Sequence, residues 1–223
     1  MPFIVAIDGP AGSGKSTVAK EVAKKLRLSY VDTGAIYRSL ALFVLDAQVD
    51  ENDEDAIASL ATELPLRIQT GDAAQRFFLK DKDVTDLIRT EQVSRLASVV
   101  SQHQKVRAQL LGLQQRLGNE AEKGAVLEGR DIGTVVFPDA DYKFFLTASN
   151  DERAKRRFEE LKQRGEHATF EKVLQEIIER DDRDSKRDAA PMVPAKDAHI
   201  IDTTNLSLEN VIDSIVSKIH ESH

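Results

Sequence analysis

The chain has 223 residues, of which 41% are hydrophobic and 31% are charged, and its formal net charge is −7 at neutral pH. This composition excludes a disordered chain, and the length suits one α/β domain with a substantial core. The acidic balance argues against a nucleic-acid partner, because such proteins usually present a basic face. The absence of cysteine excludes disulfides and thiolate metal sites and fits a reducing cytoplasm.

The histidines and the apolar start of the chain exclude two further classes. None of the five histidines forms an HxH or HExxH pattern, so a histidine metal site is not expected. The apolar stretch FIVAI is too short to span a bilayer and lacks the basic flank of a signal peptide. We therefore expect a cytoplasmic protein with no membrane partner.

In chain order, the predicted elements alternate between strands and helices. The apolar run Phe3–Ile7 predicts a strand buried on both faces of a parallel sheet, and a helix follows over 15–26. LSYVDTG predicts a second strand, and AIYRSLALFVLDAQ predicts a second helix. AVLEGRD, DYKFFLT and AHIID predict three more strands, each followed by a helix or loop. This alternation predicts a doubly wound α/β fold with a parallel five-stranded sheet flanked by helices.

One segment interrupts the alternation. LPLRIQT and QRFFLK are strand-like runs separated by GDAA and followed by DKDVTDLIR, with no long helix between them. This pattern predicts a small antiparallel insert. Repeats, low-complexity tracts and proline-rich linkers are absent, so we predict a single domain over 1–223. Its predicted subregions are a core (1–62, 108–150 and 168–223), an insert (63–107) and a helical lid (151–167).

Residues 8–17 read DGPAGSGKST, in which Gly9–Ser16 matches GxxxxGK[ST] between a predicted strand and a predicted helix. The glycines let backbone N–H groups turn toward one point, and the helix N-terminus adds its positive dipole end. Lys15 would reach the β- and γ-phosphates, and the Ser16 hydroxyl could ligate Mg²⁺. The pattern predicts a P-loop site for a nucleoside triphosphate, formed by Gly9, Pro10, Ala11, Gly12, Ser13, Gly14, Lys15, Ser16 and Thr17.

A P-loop serves several classes of protein. A GTPase would carry NKxD and DxxG, and neither pattern occurs in the chain. A motor ATPase would close a hydrophobic strand with a water-positioning Asp. The segment LEGRD instead places Arg130 between Glu128 and Asp131, and this arginine points to a second anion.

Two later segments carry clustered arginines. Arg153, Arg156 and Arg157 share one face of a predicted helix, which is either a solvated charged helix or a mobile lid that closes over the triphosphate. The second segment, ATFEKVLQEIIERDDRDSKRDAAP, continues an inward-facing apolar stripe into a charged edge, which predicts a cleft lining or, alternatively, a surface salt-bridge ladder. Its stripe comprises Phe170, Val173, Leu174, Ile177 and Ile178, and its charged edge comprises Arg180, Asp184 and Arg187.

A third polar cluster follows the second strand, in VDTGAIYRSL. Thr33 is predicted to cap the second helix with its hydroxyl, and Tyr37 and Arg38 follow one turn later. In open α/β folds, ligands bind at the carboxyl ends of the strands, so we expect this turn to take part in the site.

The segments DGPAGSGKST, VDTGAIYR, KVR, EGRDIGTVVFPDAD and ERDDRDSKR, in this order, resemble the bacterial cytidylate kinases, which are nucleoside monophosphate (NMP) kinases of the P-loop group. The resemblance covers essentially the whole chain and includes the insert, which it implies is the NMP-binding region. It implies transfer of a phosphoryl group from ATP to CMP or dCMP with Mg²⁺. Two departures are GKST where many members have GKGT, so that either Ser16 or Thr17 could contact the metal, and Glu128 where Asp is also common.

With the loop chemistry, the resemblance implies a set of site residues. Lys15, Arg130, Arg153 and Arg157 are expected in catalysis, and Arg156 with the loop Gly9–Thr17 is expected to bind ATP. The acceptor nucleotide is expected to contact Thr33, Tyr37, Arg38, Ser98, Arg107, Arg130, Asp131, Arg180, Asp184 and Arg187. Within that group, Asp131 is the candidate acceptor for the cytosine amino group and Arg107 is the candidate donor to the base.

Two rival functions remain open at this point. A P-loop kinase of an alcohol, such as shikimate or gluconate, would need a lone Asp near the acceptor and fewer arginines, because an alcohol must lose a proton. A nucleotide-binding regulator would bind ATP without releasing ADP in response to CMP. An acceptor that is already an anionic phosphate needs no general base, and the arginine clusters favour this reading. We expect a monomer.

Overall fold

The computed structural model describes residues 2–70 and 75–221. The segment GDAA (71–74), predicted to separate two strands of the insert, lies outside the described residues. The chain divides into two compact units: unit 1 comprises Met1–Val31 and Gln115–His223, and unit 2 comprises Asp32–Gln114. The division into a core, an insert and a lid stays a prediction.

Strands and helices follow one another along both halves of the chain. The first half contains β1 (Ile4–Asp8), α1 (Lys15–Leu26), β2 (Ser29–Asp32), α2 (Thr33–Asp46), α3 (Glu54–Thr62), β3 (Leu66–Thr70), β4 (Gln75–Leu79), β5 (Lys82–Asp83) and α4 (Glu91–Val100). The second half contains α5 (Gln104–Asn119), β6 (Ala125–Gly129), β7 (Tyr142–Thr147), α6 (Asn150–Gln163), α7 (Phe170–Lys186), β8 (His199–Asp202) and α8 (Leu208–His220). A 3₁₀ turn (Leu87–Arg89) precedes α4, and a π-helical turn (Ile132–Val136) follows β6.

The main sheet has the strand order β2-β6-β1-β7-β8. β1 pairs in parallel with β6 and β7, and β7 pairs in parallel with β8. All five residues of β1 are buried, as its continuous apolar run predicts for a central strand. Strands that are distant in the sequence lie side by side, so the predicted doubly wound five-stranded sheet is confirmed. The helix predicted over 15–26 is also confirmed, at both of its ends.

The core of unit 1 lies between the sheet and the pair α1 and α8. Helical spacing brings Val18 and Val22 of α1, and Val211 and Ile215 of α8, to the same apolar cluster as the inner faces of the central strands. This packing holds the start of α1 at the carboxyl end of β1, where the GxxxxGK[ST] loop joins the two elements.

The helical pair α6 and α7 has a small core of its own. Ala154 and Leu161 of α6 pack with Val173 and Ile177 of α7. Ile178, which the sequence assigns to the same stripe, is 37% exposed, so this part of the prediction is wrong. Adjacent helical residues are about 100° apart around the axis, and burial of Ile177 therefore turns Ile178 toward solvent.

Unit 2 contains the predicted antiparallel insert. Its sheet has the order β3-β4-β5, and the pairing of β3 with β4 is antiparallel, with Leu66 opposite Leu79. The two-residue strand β5 is not predicted by the sequence. Helix α2 packs against α3, α4 and β4, and its buried face includes Ile36 and Leu40.

Candidate active site

The GxxxxGK[ST] loop runs from the end of β1 into the first turn of α1, as predicted. The Lys15 Nζ donates to the Pro10 carbonyl at 3.0 Å, and the Ser13 hydroxyl donates to the same carbonyl, also at 3.0 Å. Gly14 precedes α1 in the left-handed conformation, with φ 85°. The loop therefore closes on itself around one carbonyl and leads directly into a helix N-terminus, the arrangement that binds phosphate.

Two glycines of the loop are required by close backbone approaches. Gly9 has φ 148°, and a Cβ there would lie 2.1 Å from the Leu146 carbonyl oxygen on β7. Gly12 has φ 75°, and a Cβ there would lie 3.0 Å from both the Cβ and the carbonyl oxygen of Arg153. Neither position accepts a side chain without movement of the backbone around it.

Lys15 is buried within a set of charged groups of unit 1. Burial, and after it the positive charge of Arg130, lowers the pKa of Lys15 to about 7, with a smaller effect in the same direction from Arg180. Glu128 and Asp184 act in the opposite direction. Four predicted site residues, Lys15, Arg130, Arg180 and Asp184, are thus close enough to influence one another.

A buried carboxylate organises two of these arginines. The Asp184 Oδ2 accepts from the Arg130 Nε at 2.9 Å and lies 3.9 Å from the Arg180 Nε. Burial alone would raise the pKa of Asp184, but the nearby Arg130 and Arg180 outweigh it and lower the pKa below its ordinary value. Asp184 is therefore an ionised anchor for one arginine from the loop after β6 and one from α7.

A second ion pair links the loop after β6 to the residue that follows α7. The Asp131 Oδ1 lies 3.5 Å from a terminal nitrogen of Arg187, and both residues are buried. The Arg187 Nε also donates to the Ala190 carbonyl at 2.7 Å. Arg187 has left the helical conformation, with φ −65° and ψ 143°, so its side chain reaches Asp131 from just beyond the helix.

The three arginines of α6 have different surroundings. Arg153 is 3% exposed, and its three nitrogens bind groups of the protein. They donate to the carbonyls of Ala148 (3.0 Å) and Ala11 (2.9 Å) and to the Asn150 side chain (2.6 Å), and the Asp181 carboxylate lies 2.5 Å from Nη2. Arg153 therefore joins the phosphate loop to both α6 and α7.

Arg156 reaches the phosphate loop through Thr203. Its terminal nitrogens donate to the hydroxyl and the carbonyl of Thr203 at 3.0 and 2.7 Å, and the Thr203 hydroxyl in turn lies 3.2 Å from the Ser13 carbonyl oxygen. Arg157, by contrast, is half-buried and donates to the Glu160 carboxylate at 2.9 Å. One helix face thus carries an arginine bound to the loop, one bound through an intermediary and one in a surface ion pair.

Two predicted residues of unit 2, Thr33 and Arg38, lie in the first turns of α2. The helix is capped by Asp32, whose carboxylate accepts from the Ala35 amide at 2.9 Å. The prediction that Thr33 caps the helix is therefore wrong, because Thr33 already lies in the first turn and is buried. The second oxygen of Asp32 accepts from Arg38 at 2.8 Å, so one carboxylate both caps the helix and holds the arginine one turn later.

The remaining predicted residues of unit 2 are Tyr37, Ser98 and Arg107, and all three are buried. The Arg107 guanidinium carbon lies 5.5 Å from the centroid of the Tyr37 ring, and Arg107 donates to the Ser101 carbonyl at 3.1 Å. The Ser101 hydroxyl donates to the Ser98 carbonyl at 3.0 Å. Helices α2, α4 and α5 bring these side chains together within unit 2, although the residues are far apart in the sequence.

The hydroxyls predicted to contact Mg²⁺ are accessible. Ser16 and Thr17 lie in the first turn of α1 and are exposed, next to buried Lys15. Within residues 2–70 and 75–221, no group of three His, Asp or Glu side chains could hold a metal by itself. A protein hydroxyl beside a phosphate loop fits Mg²⁺, because that ion keeps several waters and takes further ligands from the phosphates of the substrate.

Sequence reasoning missed two residues that support the loop. Thr203 is buried after β8 and bonds Arg156, the Ser13 carbonyl and the Thr147 carbonyl. Its position, directly after a strand that ends in Asp202, is the signal that could have identified it. Asp181 pairs with Arg153, but the run ERDDRD contains several acids, and nothing in the sequence distinguishes this one.

In the part of the chain that the structure describes, the helices are each too short or too polar to cross a bilayer.

Comparisons with known proteins agree over nearly the whole chain. The family model described as "Cytidylate kinase" matches residues 5–221. A cytidylate kinase of Carboxydothermus hydrogenoformans is 45% identical over 215 residues, which cover 96% of each chain. A cytidylate kinase of Bacillus subtilis is 43% identical over 217 residues, covering 97% of this chain and 96% of the relative.

A solved structure of an uncharacterized protein from Eubacterium ventriosum is also similar, with a TM-score of 0.52, 16% identity and coverage of 98% of each chain. At that identity the likeness bears on the fold alone. The full-length family match and the much higher identity to curated relatives carry the assignment: this chain belongs to the cytidylate kinase family.

Proposed function

We propose that this chain transfers the γ-phosphoryl group of ATP to CMP or dCMP, giving ADP and CDP or dCDP. Membership of the cytidylate kinase family supports the reaction. The structural observation that carries it is the pair Arg130 and Arg180 at the buried Asp184 carboxylate, whose charges also act on Lys15 of the phosphate loop. Two polyanions that must approach each other need several fixed cations between them, and guanidinium groups serve this purpose well.

The donor side is formed by the phosphate loop. Its backbone amides and the N-terminus of α1 would bind the phosphates of ATP, and Lys15 would leave the Pro10 carbonyl to reach the β- and γ-phosphates. Bound phosphates would favour the charged form of Lys15, whose pKa is lowered to about 7 in their absence by burial and, after it, by the nearby Arg130. Arg153 holds the loop in place, and Arg156 and Arg157 are the other arginines of α6.

Ser16, or Thr17 beside it, would hold Mg²⁺ through its hydroxyl. A bound ion would supply positive charge that offsets the negative charge of the phosphates during transfer. The exposure of both hydroxyls beside Lys15 supports this assignment.

The acceptor side of the site requires positively charged side chains rather than a general base. The attacking atom is a phosphate oxygen, whose second pKa is about 6, so it is already ionised at neutral pH. Arg130 and Arg180, oriented by Asp184, would bind the phosphate and sugar of the acceptor. Arg38, held by Asp32, and Thr33 are further proposed contacts of the acceptor nucleotide. Transfer would then depend on alignment and on electrostatic stabilisation.

Cytosine would be distinguished from uracil by its amino group. Asp131 is the proposed acceptor for this group, and Arg187 holds its carboxylate. Uracil presents a carbonyl at that position, which would set two hydrogen-bond acceptors against each other. A mismatch of this kind can discriminate by as much as about 10⁴-fold. Ser98, Tyr37 and Arg107 are further proposed contacts of the acceptor nucleotide.

An ADP-release assay with a panel of acceptors tests the function. We expect release with ATP plus CMP or dCMP, much less with UMP, and none with shikimate or gluconate. Lys15→Met should abolish release, whereas Lys25→Met, which removes an exposed lysine of the same helix paired with Asp213, should not. Release driven by shikimate or gluconate would favour the alcohol kinase, and ATP binding without CMP-dependent release would favour a regulator. A monomeric state and a cytoplasmic location stay predictions.

A further inference from the structure

Asp8 is a buried carboxylate that the proposed reaction does not use. It is the last residue of β1, directly before the phosphate loop, and is 5% exposed. Its two oxygens each accept a backbone hydrogen bond of 2.8 Å, Oδ1 from the Ile132 amide and Oδ2 from the Gly133 amide. Asp8 therefore ties the strand that carries the phosphate loop to the segment that carries Arg130 and Asp131.

The two amides belong to the start of the π-helical turn Ile132–Val136. The first amides of a helical turn lack partners within the turn and are usually capped by the side chain of the residue before it. That residue is Asp131, an amino acid that caps well. Within the described residues, however, the Asp131 side chain makes no capping hydrogen bond, and its carboxylate lies 3.5 Å from Arg187 instead.

We propose that Asp8 is a positioning residue: it takes over the capping of this turn, and Asp131 can thereby turn its carboxylate toward Arg187 and the cytosine amino group. The proposal rests on the proposed function, because it concerns how the base is recognised. Asp8 and Asp131 compete for the same Gly133 amide, and Asp8, fixed in the central strand of the sheet, is the better placed of the two.

The surroundings of Asp8 argue for a role beyond stability. Burial raises the pKa of Asp8 to about 7, even though the Gly133 and Ile132 amides lower it, and so the carboxylate form is held at a cost. The carboxylate also repels that of Asp131. The elements packed around Asp8 carry the charged residues Lys15 (α1), Glu128 (β6), Arg130 and Asp131 (the loop after β6) and Lys143 (β7).

A neutral group at position 8 could not replace the carboxylate. An Asn side chain, like a protonated Asp, presents one acceptor oxygen and one donor toward two amides that both donate. One amide would be left without a partner, and the Asp131 carboxylate could rotate to accept it. Asp131 would then be withdrawn from Arg187 and from the base.

A double-mutant cycle tests the proposal, with kcat/KM measured for CMP and for UMP in the wild type, Asp8→Asn, Asp131→Asn and the double variant. We expect Asp8→Asn to lower the CMP/UMP ratio by about tenfold, and to lower it far less in the Asp131→Asn background, because neighbours that act together are not additive. The KM for ATP should stay unchanged. Asp141→Asn is the matched control, since Asp141 accepts from the Ile4 amide at the other end of β1, and it should preserve the ratio.

Equal losses for CMP and UMP, or losses that add between the two sites, would assign Asp8 a merely structural role. These outcomes differ from failure of the proposed function, in which the wild type itself would show no CMP-dependent release of ADP.

The wild type provides a second measurement that does not depend on the folding of a variant. The CMP/UMP ratio of kcat/KM should rise with pH through about 7, as Asp8 ionises and the turn becomes fully capped. The titrations of the acceptor phosphate and of Lys15 affect both acceptors and cancel in the ratio. A ratio that stays flat between about pH 6 and pH 8 would overturn the proposal.

Discussion

Asp8, at the end of β1, and Asp184, near the end of α7, are buried to nearly the same extent, with exposures of 5% and 3%. Their surroundings differ. Two backbone amides bind Asp8, and burial raises its pKa to about 7. Asp184 is bound by the Arg130 guanidinium with Arg180 nearby, and its pKa falls below the ordinary value.

This comparison shows that burial does not by itself decide whether a carboxylate is ionised. Full positive charges offset the loss of hydration of Asp184, whereas two amide dipoles offset only part of it for Asp8. Asp184 is therefore a permanent anion that orients Arg130 and Arg180, and Asp8 is an anion whose charge depends on pH within the physiological range.

The largest expected effect comes from removing the anion that pairs with arginines. Asp184→Ala would leave Arg130 buried without its carboxylate, so we expect the free energy of unfolding at pH 8 to fall by about 3–5 kcal/mol. Urea denaturation of the wild type and the variant would measure this fall in the free energy of unfolding. The control Asp182→Ala removes an exposed carboxylate of the same helix, paired with Lys186, and should change stability little. Equal effects of the two variants would contradict the comparison.

The contributions of the two carboxylates to the free energy of unfolding should also depend on pH in opposite directions. The native state holds a proton on Asp8 more tightly than the unfolded state, so its contribution to stability is present below about pH 4 and is lost as the pH rises through about 7. For Asp184 the contribution is present above its ordinary pKa and is lost as the pH falls.

The free energy of unfolding of the wild type minus that of Asp8→Asn should therefore decrease between pH 4 and pH 8. A rise in pKa from 3.8 to about 7 corresponds to a decrease of about 4 kcal/mol. The corresponding difference for Asp184→Asn should stay nearly constant over that range and should fall only as the pH drops below about 4. If both differences in the free energy of unfolding decreased between pH 4 and pH 8, the distinction between the two sites would be lost.

A smaller effect, confined to one substrate, is expected at Asp131. Asp131→Ala should lower kcat/KM for CMP by about 10- to 100-fold, the value of a hydrogen bond to a charged group, and leave the KM for ATP nearly unchanged. Asp139→Ala, which removes an exposed acid a few residues later, should leave both constants unchanged. Equal losses for CMP and ATP would refute the assignment of Asp131 to the base.

The smallest expected effect on stability is at Arg157. Its ion pair with Glu160 is partly exposed, so Arg157→Ala should change the free energy of unfolding by less than about 0.5 kcal/mol. If Arg157 binds ATP when α6 closes over it, kcat should still fall by about tenfold. Arg164→Ala, which removes the other arginine paired with Glu160, should leave kcat unchanged.

The order of elements and the phosphate loop could be predicted because each depends on neighbours in the chain. The apolar run of β1 and the glycines before Lys15 carry their own conformational preferences, and α1 begins and ends where its pattern predicts. The two-residue strand β5 has no such pattern, since its partners lie on β4. The sequence predicts Thr33 as the N-cap of α2, whereas Asp32 caps the helix. Both residue types are good caps, and the choice between them depends on side-chain geometry.

The roles of individual charged residues followed from contacts between distant parts of the chain. Arg153, Arg156 and Arg157 are equivalent in a helical pattern, but only the fold gives Arg153 the Ala11 carbonyl and Arg157 a surface partner. Asp8 meets the Ile132 amide across 124 residues, a contact that depends on the pairing of β1 with β6. Local sequence specifies which elements form and which atoms could bind, whereas hydrogen-bond partners and burial, and with them the pKa values, depend on which segments the sheet brings side by side.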